Sequence, residues 1–175
     1  MTIALAGHLG GARSRTIIAT LALGAIALAS VAHAEPAPQA RTVAEVTAAA
    51  DAIVAAFGRH DAKAYFARFA PEATFVFHTT PRRLESRAEY EAEWAKWEKE
   101  DGFHVRGCRS SNQRVQLLGD VAVFSHSVRT ELTMNSGPST VRERETIVFQ
   151  RRAGGWIAVH EHLSPDPSAQ APAAK

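Results

Sequence analysis

Two extended runs close the chain, Val141-Arg142-Glu143-Arg144-Glu145-Thr146-Ile147-Val148-Phe149-Gln150-Arg151 and Gly155-Trp156-Ile157-Ala158-Val159-His160-Glu161-His162-Leu163-Ser164, and the link Ala153-Gly154-Gly155 makes them an antiparallel pair. Each carries ionisable side chains where a strand lying on a core would carry aliphatic ones. Such charge lines a pocket, pairs across a subunit interface, or faces water. The choice among the three decides what the sheet is for.

Two more extended runs precede this pair, Phe103 to Leu118 and Val121 to Leu132, punctuated by Gly119-Asp120 and by Asn135-Ser136-Gly137-Pro138. Upstream the periodicity is helical. Thr42-x-x-Glu45 reads as a capping box opening a first helix, with Val46, Ala49, Ile53 and Phe57 on one stripe and Gly58 as its stop. Asp61 reads as the N-cap of a second helix carrying Tyr65, Phe66 and Phe69 and ending at Pro71. A strand from Ala73 to His78 leads to a third helix, capped by Ser86-x-x-Glu89, with Tyr90, Trp94 and Trp97 on one side. Helices first and an antiparallel meander last is an α+β plan, in which three N-terminal helices pack on a curved, mainly antiparallel sheet.

The leading segment falls outside this plan. Arg13 and Arg15 precede an apolar run from Thr16 to Ala29 that closes on Ala32-His33-Ala34, the order of a secretory signal cleaved after residue 34. The apolar run is shorter than the ~20 residues of a membrane span. The expected product is periplasmic or secreted and free of the membrane, with a Pro/Ala linker at 35–41, one domain at 42–165 and a disordered tail at 166–175. The two leading arginines account for the formal net charge of +2, so the remaining chain is neutral and offers no basic footprint for nucleic acid. A single cysteine, Cys108, excludes an internal disulfide and reads as a small packed side chain.

Leu118-Gly119-Asp120-Val121-Ala122, the Glu145-Thr146 strand and Gly155-Trp156-Ile157-x-Val159-His160-x-His162-x-Ser164 resemble the nuclear transport factor 2-like superfamily in its SnoaL-like branch. They are closer still to the association domain of calcium/calmodulin-dependent protein kinase type II. The resemblance spans residues 42–165 and implies a cone-shaped half-barrel with a deep pocket, commonly dimeric through the sheet. It leaves function open, because one fold carries enzymes, binding modules and assembly domains. Registered on ketosteroid isomerase, Ile53 stands where that enzyme has its oxyanion-binding tyrosine and Phe77 where it has its aspartate base. Neither side chain can donate to a dienolate or take a proton, so that mechanism is excluded. Registered on the kinase domain, Arg129 falls on one pocket arginine, and Ile147 and Leu163 replace two others.

On this registration the pocket holds Arg129 with Glu143, Glu145 and Glu161, and Phe75, Phe77 and Trp94 line its apolar end. His126 falls on the opposite face. Crowded carboxylates in a low-dielectric cleft do not all ionise, so one of the three glutamates is a candidate catalytic acid or base. Equally, Arg129 and one glutamate can form a buried pair that only holds the sheet. His160-x-His162 could join His126 in holding zinc or copper, but no third carboxylate or cysteine is forced onto that face, and the expectation is no metal and no cofactor. The reading is an exported homodimer that binds a small, mainly apolar organic ligand with one polar or anionic group. Acid-base catalysis by a pocket glutamate, as in a cyclase, hydrolase or isomerase, is the alternative.

Overall fold

Proline at the first helical position, where its missing N–H costs no hydrogen bond, sets the start of the long helix α1 (Pro38–Gly58). The structure, a computed structural model, describes residues 38–167. The expected signal at 1–34 and most of the tail lie outside the described residues. Part of the expected linker is helix instead: Thr42 Oγ1 donates to the Pro38 carbonyl one turn back, so Thr42 is an interior residue and not a cap. Val46, Ala50, Ile53 and Val54 turn the helix's buried stripe toward the sheet. Gly58 ends it against strand β2 (His104–Leu118), where a Cβ would stand 2.9 Å from the Cys108 amide nitrogen. Only glycine lets the helix approach so closely.

His60, at φ 54°, turns the chain, and Asp61 caps the short helix α2 (Ala62–Phe66) by accepting from the Ala64 amide at 3.0 Å. The helix stops before Phe69, because Pro71 lies within strand β1 (Phe69–Phe77) and does not end the helix as its position suggests. An edge strand tolerates that proline. Pairing of β1 with the last strand, β5 (Gly155–Pro165), is irregular between Phe69 and Thr74. The outer side of β1 is closed by Leu84, whose backbone exchanges two 2.9 Å hydrogen bonds with that of Phe75. Helix α3 (Arg87–Lys96) opens where Ser86 Oγ accepts from the Glu89 amide at 3.2 Å, and it runs into a π-helical turn, Trp97–Asp101.

Strands β2 (His104–Leu118), β3 (Val121–Met134), β4 (Gly137–Arg152) and β5 (Gly155–Pro165) form the meander, and the sheet order is β1-β5-β4-β3-β2 with only β1 and β5 parallel. β5 extends to Pro165, and the Asp166 amide donates to the Arg142 carbonyl at 3.1 Å, so the expected tail is tied down at its first residue. The helices cover one face. Beneath them Tyr65, Phe66, Phe69, Phe75, Tyr90 and Trp94 form an aromatic core with ring centroids about 5–6 Å apart.

Three bulges set which side chains face that core. The β3–β4 hairpin turns at Asn135-Ser136 and pairs Met134 with Gly137, so His126 stands opposite Glu145 and Arg129 opposite Arg142. Opposed residues share a face. Since Glu145 is turned inward, His126 is inward and Arg129 outward, which reverses the expected phase of β3. In β5 the partner of Phe149 is Ala158 and that of Val148 is His160, which leaves Val159 as the extra residue of a bulge. Ala158 and Glu161 therefore face inward together. β2 carries two further irregularities, at Arg106 and around Asn112, the latter with φ 54°.

Candidate functional site

The inward side chains of β3, β4 and β5 converge under α1 and α2 on a small cavity of about 30 Å³, lined in part by Ile53, Tyr65, Cys108, Thr130 and all three candidate glutamates. That volume holds one or two waters. Phe57, Thr130, Glu143 and Leu163 form a neck shared with an adjacent, outer cavity, a mouth of about 350 Å³ walled by Phe77, Tyr90, Trp97, Phe103, Leu132 and Met134. The mouth has the capacity of a small-molecule site.

Glu145 (7 % exposed) and Glu161 (2 % exposed) lie diagonally across the β4–β5 pair and share a hydrogen bond. Tyr65 Oη donates to Glu161 Oε2 at 2.8 Å and lies 3.5 Å from Tyr90 Oη. Burial, and then the charge of Glu145, hold the Glu161 carboxyl well above the usual carboxylate range. Burial, with the charge of Glu143, raises Glu145 to about 7. The pair thus carries at least one proton at neutral pH, with Tyr65 bonded to its far oxygen.

His126 extends this chain of polar groups outward. Its Nδ1 is 2.7 Å from Ser110 Oγ, and its Nε2 is 2.7 Å from Glu145 Oε2. The approach at Nε2 does not make a hydrogen bond, so that buried nitrogen is in close contact with the carboxyl without a bonded partner. Burial pushes the imidazole down to about 4, which keeps it neutral beside a protonated or half-protonated carboxyl. At the mouth, Glu143 Oε1 meets His78 Nε2 at 2.7 Å. Cys108 takes a 3.6 Å bond from Thr130 Oγ1, and burial pushes its thiol up to about 11, so the cavity wall presents a thiol and not a thiolate nucleophile.

The structure therefore brings Glu143, Glu145 and Glu161 together and removes Arg129 from them. Arg129 stands on the outer face, paired with Glu131 and bordering an open groove. A guanidinium at an inward β3 position would have to surrender its hydration inside the cavity, whereas neutral His126 fits there. Among the expected aromatic residues Phe77 lines the mouth, but Phe75 and Trp94 are core residues behind it, and Trp97 takes the place expected of Trp94. His160 and His162 project from the outer face, where His160 Nδ1 is 2.8 Å from Thr74 Oγ1, so His126 does not join them as a metal set. Tyr65, absent from the residues the sequence nominates, and His126, which the sequence places on the opposite face, both stand at the cavity. Helical periodicity presents Tyr65 only as an apolar residue, and pairing β3 to β4 across the two-residue turn is what turns His126 inward.

The family model for the SnoaL-like domain matches residues 46–167. Among solved structures, the fold is similar to a protein described as a calcium/calmodulin dependent protein kinase II association domain from Xanthomonas campestris, with 25% identity, TM-score 0.59, and 70% of this chain and 86% of that one covered. A nuclear transport factor 2-like superfamily protein from Salmonella enterica shares the fold at 15% identity and TM-score 0.64, over 78% of this chain and 96% of that one. So does a ketosteroid isomerase-like protein from Erwinia carotovora atroseptica, at 20% identity and TM-score 0.59, over 70% and 94%. No curated protein matches at a significant level. The helices, the mainly antiparallel sheet and the extent of the match give one conclusion: the chain belongs to the SnoaL-like domain family and has the fold of nuclear transport factor 2-like proteins.

Proposed function

We propose that this domain binds a small, mainly apolar organic molecule in the aromatic mouth, with the molecule's polar end turned through the neck toward the inner carboxyls. The supporting observation is the adjacency of two cavities, one of about 350 Å³ walled by aromatic rings and one of about 30 Å³ that reaches Glu145 and Glu161, with Phe57, Thr130, Glu143 and Leu163 lining both. With Arg129 on the outer face, an anionic end has no counter-charge inside, so the polar group is a hydrogen-bond donor or a cation. Calorimetry with cyclohexylmethanol, a neutral probe of the right size, tests the reading. Saturable binding is expected, weakened at least about tenfold in Leu163→Trp, which fills the neck. Absence of saturable binding by the folded wild-type domain refutes it.

A second reading has its own support in the Glu145–Glu161 pair, whose shared proton near neutrality suits general acid-base chemistry on the bound molecule. It requires that Glu145→Gln and Glu161→Gln lose turnover while still binding ligand. Export and self-association complete the proposal. The leading basic and apolar segments support export, and the likeness to an association domain supports pairing of copies through the outer face of the sheet. Native mass spectrometry of protein recovered from the exporting cell reads both. A species of two chains, each beginning at Glu35, is expected, and a single full-length chain contradicts both points.

A further inference from the structure

No lysine or arginine lines either compartment, whereas Asp101, Glu143, Glu145 and Glu161 all do. The cations lie elsewhere: Arg109, Arg129 and Arg142 stand in one row across β2, β3 and β4, on the face turned away from the helices. The charge of the domain is thus sorted by face, acidic within and basic without. Low-dielectric walls keep an internal potential from being screened. The rings of Phe57, Phe77 and Trp97 around the mouth and neck add π faces, which attract cations and repel carboxylates.

We infer that the ligand is an organic cation, a protonated amine on a compact apolar body, whose ammonium group enters the neck and displaces a proton from the Glu145–Glu161 pair. This rests on the pocket reading above and names the ligand's class. The ammonium has three N–H donors, and the groups facing it are acceptors: Glu143 from β4 at the rim and the two deeper carboxyls from β4 and β5. The remaining titratable neighbours supply no competing positive charge from within. Tyr65 and Tyr90, from α2 and α3, are held protonated by burial, as is Cys108 from β2, and His126 from β3 is held neutral. His78, at the mouth, is occupied by Glu143. The proton balance is simple. The carboxyl O–H ionises, its proton leaves to solvent, and the ammonium stays intact as counter-ion to the new carboxylate.

Three isosteres in matched calorimetric titrations at pH 7.5 test this: cyclohexylmethylammonium, cyclohexylmethanol and cyclohexanecarboxylate. The ammonium is expected to bind at least about tenfold more tightly than the alcohol, with the carboxylate weakest. Repeating the ammonium titration in buffers of different ionisation enthalpy should show release of about one proton per ligand, which apolar burial alone would not produce. The double variant Glu145→Gln/Glu161→Gln, once shown by its cooperative urea unfolding to be folded, should erase both the preference for the ammonium over the alcohol and the proton release. If the alcohol or the carboxylate binds as well as the ammonium, or if no proton is released, the amine assignment is wrong and the pocket stands. If none of the three saturates, the pocket reading falls with it.

Discussion

Between about pH 6.5 and 8 the domain is expected to lose roughly 2–3 kcal/mol of folding stability, because Glu145 and Glu161 keep protons in the folded state that the unfolded chain has already released. Unfolded, both carboxyls titrate near 4.5; folded, Glu145 is raised to about 7, and burial and its neighbour's charge hold Glu161 well above its unfolded value. The unfolded state therefore binds fewer protons across this window, and stability falls as pH rises, at about 1.4 kcal/mol per pH unit for each proton retained. His126 acts in the opposite sense. Its folded value near 4 lies below its unfolded 6.5, so its contribution grows between those values and is complete above them. Below about pH 6.5 His126 offsets the two carboxyls only in part, and above it the carboxyls act alone. Tyr65, Tyr90 and Cys108 stay protonated throughout. Urea unfolding at several pH values measures the slope. Glu161→Gln, which keeps the shape and an N–H donor toward Glu145 but cannot ionise, should reduce the slope by half or more. A wild-type profile that is flat or rising over this range would show that the pair is solvated and ordinary.

Truncating Trp94 to alanine is expected to cost about 3–5 kcal/mol, the range for removing a buried aromatic side chain with partial collapse of the hole. The indole is 2 % exposed and packs edge-on against Phe57, Phe66 and Phe103 at 5.6, 5.6 and 5.1 Å. Its N–H also donates to Glu98 Oε1 at 2.7 Å, and Glu98 in turn holds His60 at 2.9 Å. The loss thus reaches past the core to the turn between α1 and α2, where the His60 ring nitrogen accepts from the Val105 amide. For a domain whose whole stability is about 5–15 kcal/mol, the alanine variant sits near the limit of folding. Trp94→Phe keeps a ring in the site and should cost less than half as much. Denaturant midpoints at constant slope provide the measurement, and a shift below about 1 kcal/mol for the alanine variant would mean that Trp94 anchors nothing.

The order and type of the elements were legible in the sequence because periodicity and turn chemistry are local. Ser86 and Asp61 cap their helices as read, and Gly119-Asp120 and Ala153-Gly154 turn where expected. The misread boundaries have local causes of another kind: a proline that starts a helix at residue 38, and a proline accepted by an edge strand at residue 71. The inward direction of each side chain is not local. It depends on pairing, and a shift of one residue reverses the face of a whole strand. Arg129 and His126 exchanged roles for that reason. β5 read correctly from Glu161 onward, but the bulge at Val159 breaks the alternation, so Ala158 points inward where Ile157 and Val159 were expected. Tyr65 became visible as a site residue only when tertiary packing brought α2 over β5, 96 residues away in sequence.

The margins of the sheet bear on how the protein behaves when crowded. One margin is already closed by the Leu84 segment and interrupted at Pro71, and the other is kinked twice along β2. Neither offers a straight run of free amides and carbonyls onto which a further strand could zip. Unlimited ribbon growth from the native state is therefore blocked, and concentrated solutions should yield closed particles of finite size and no fibres.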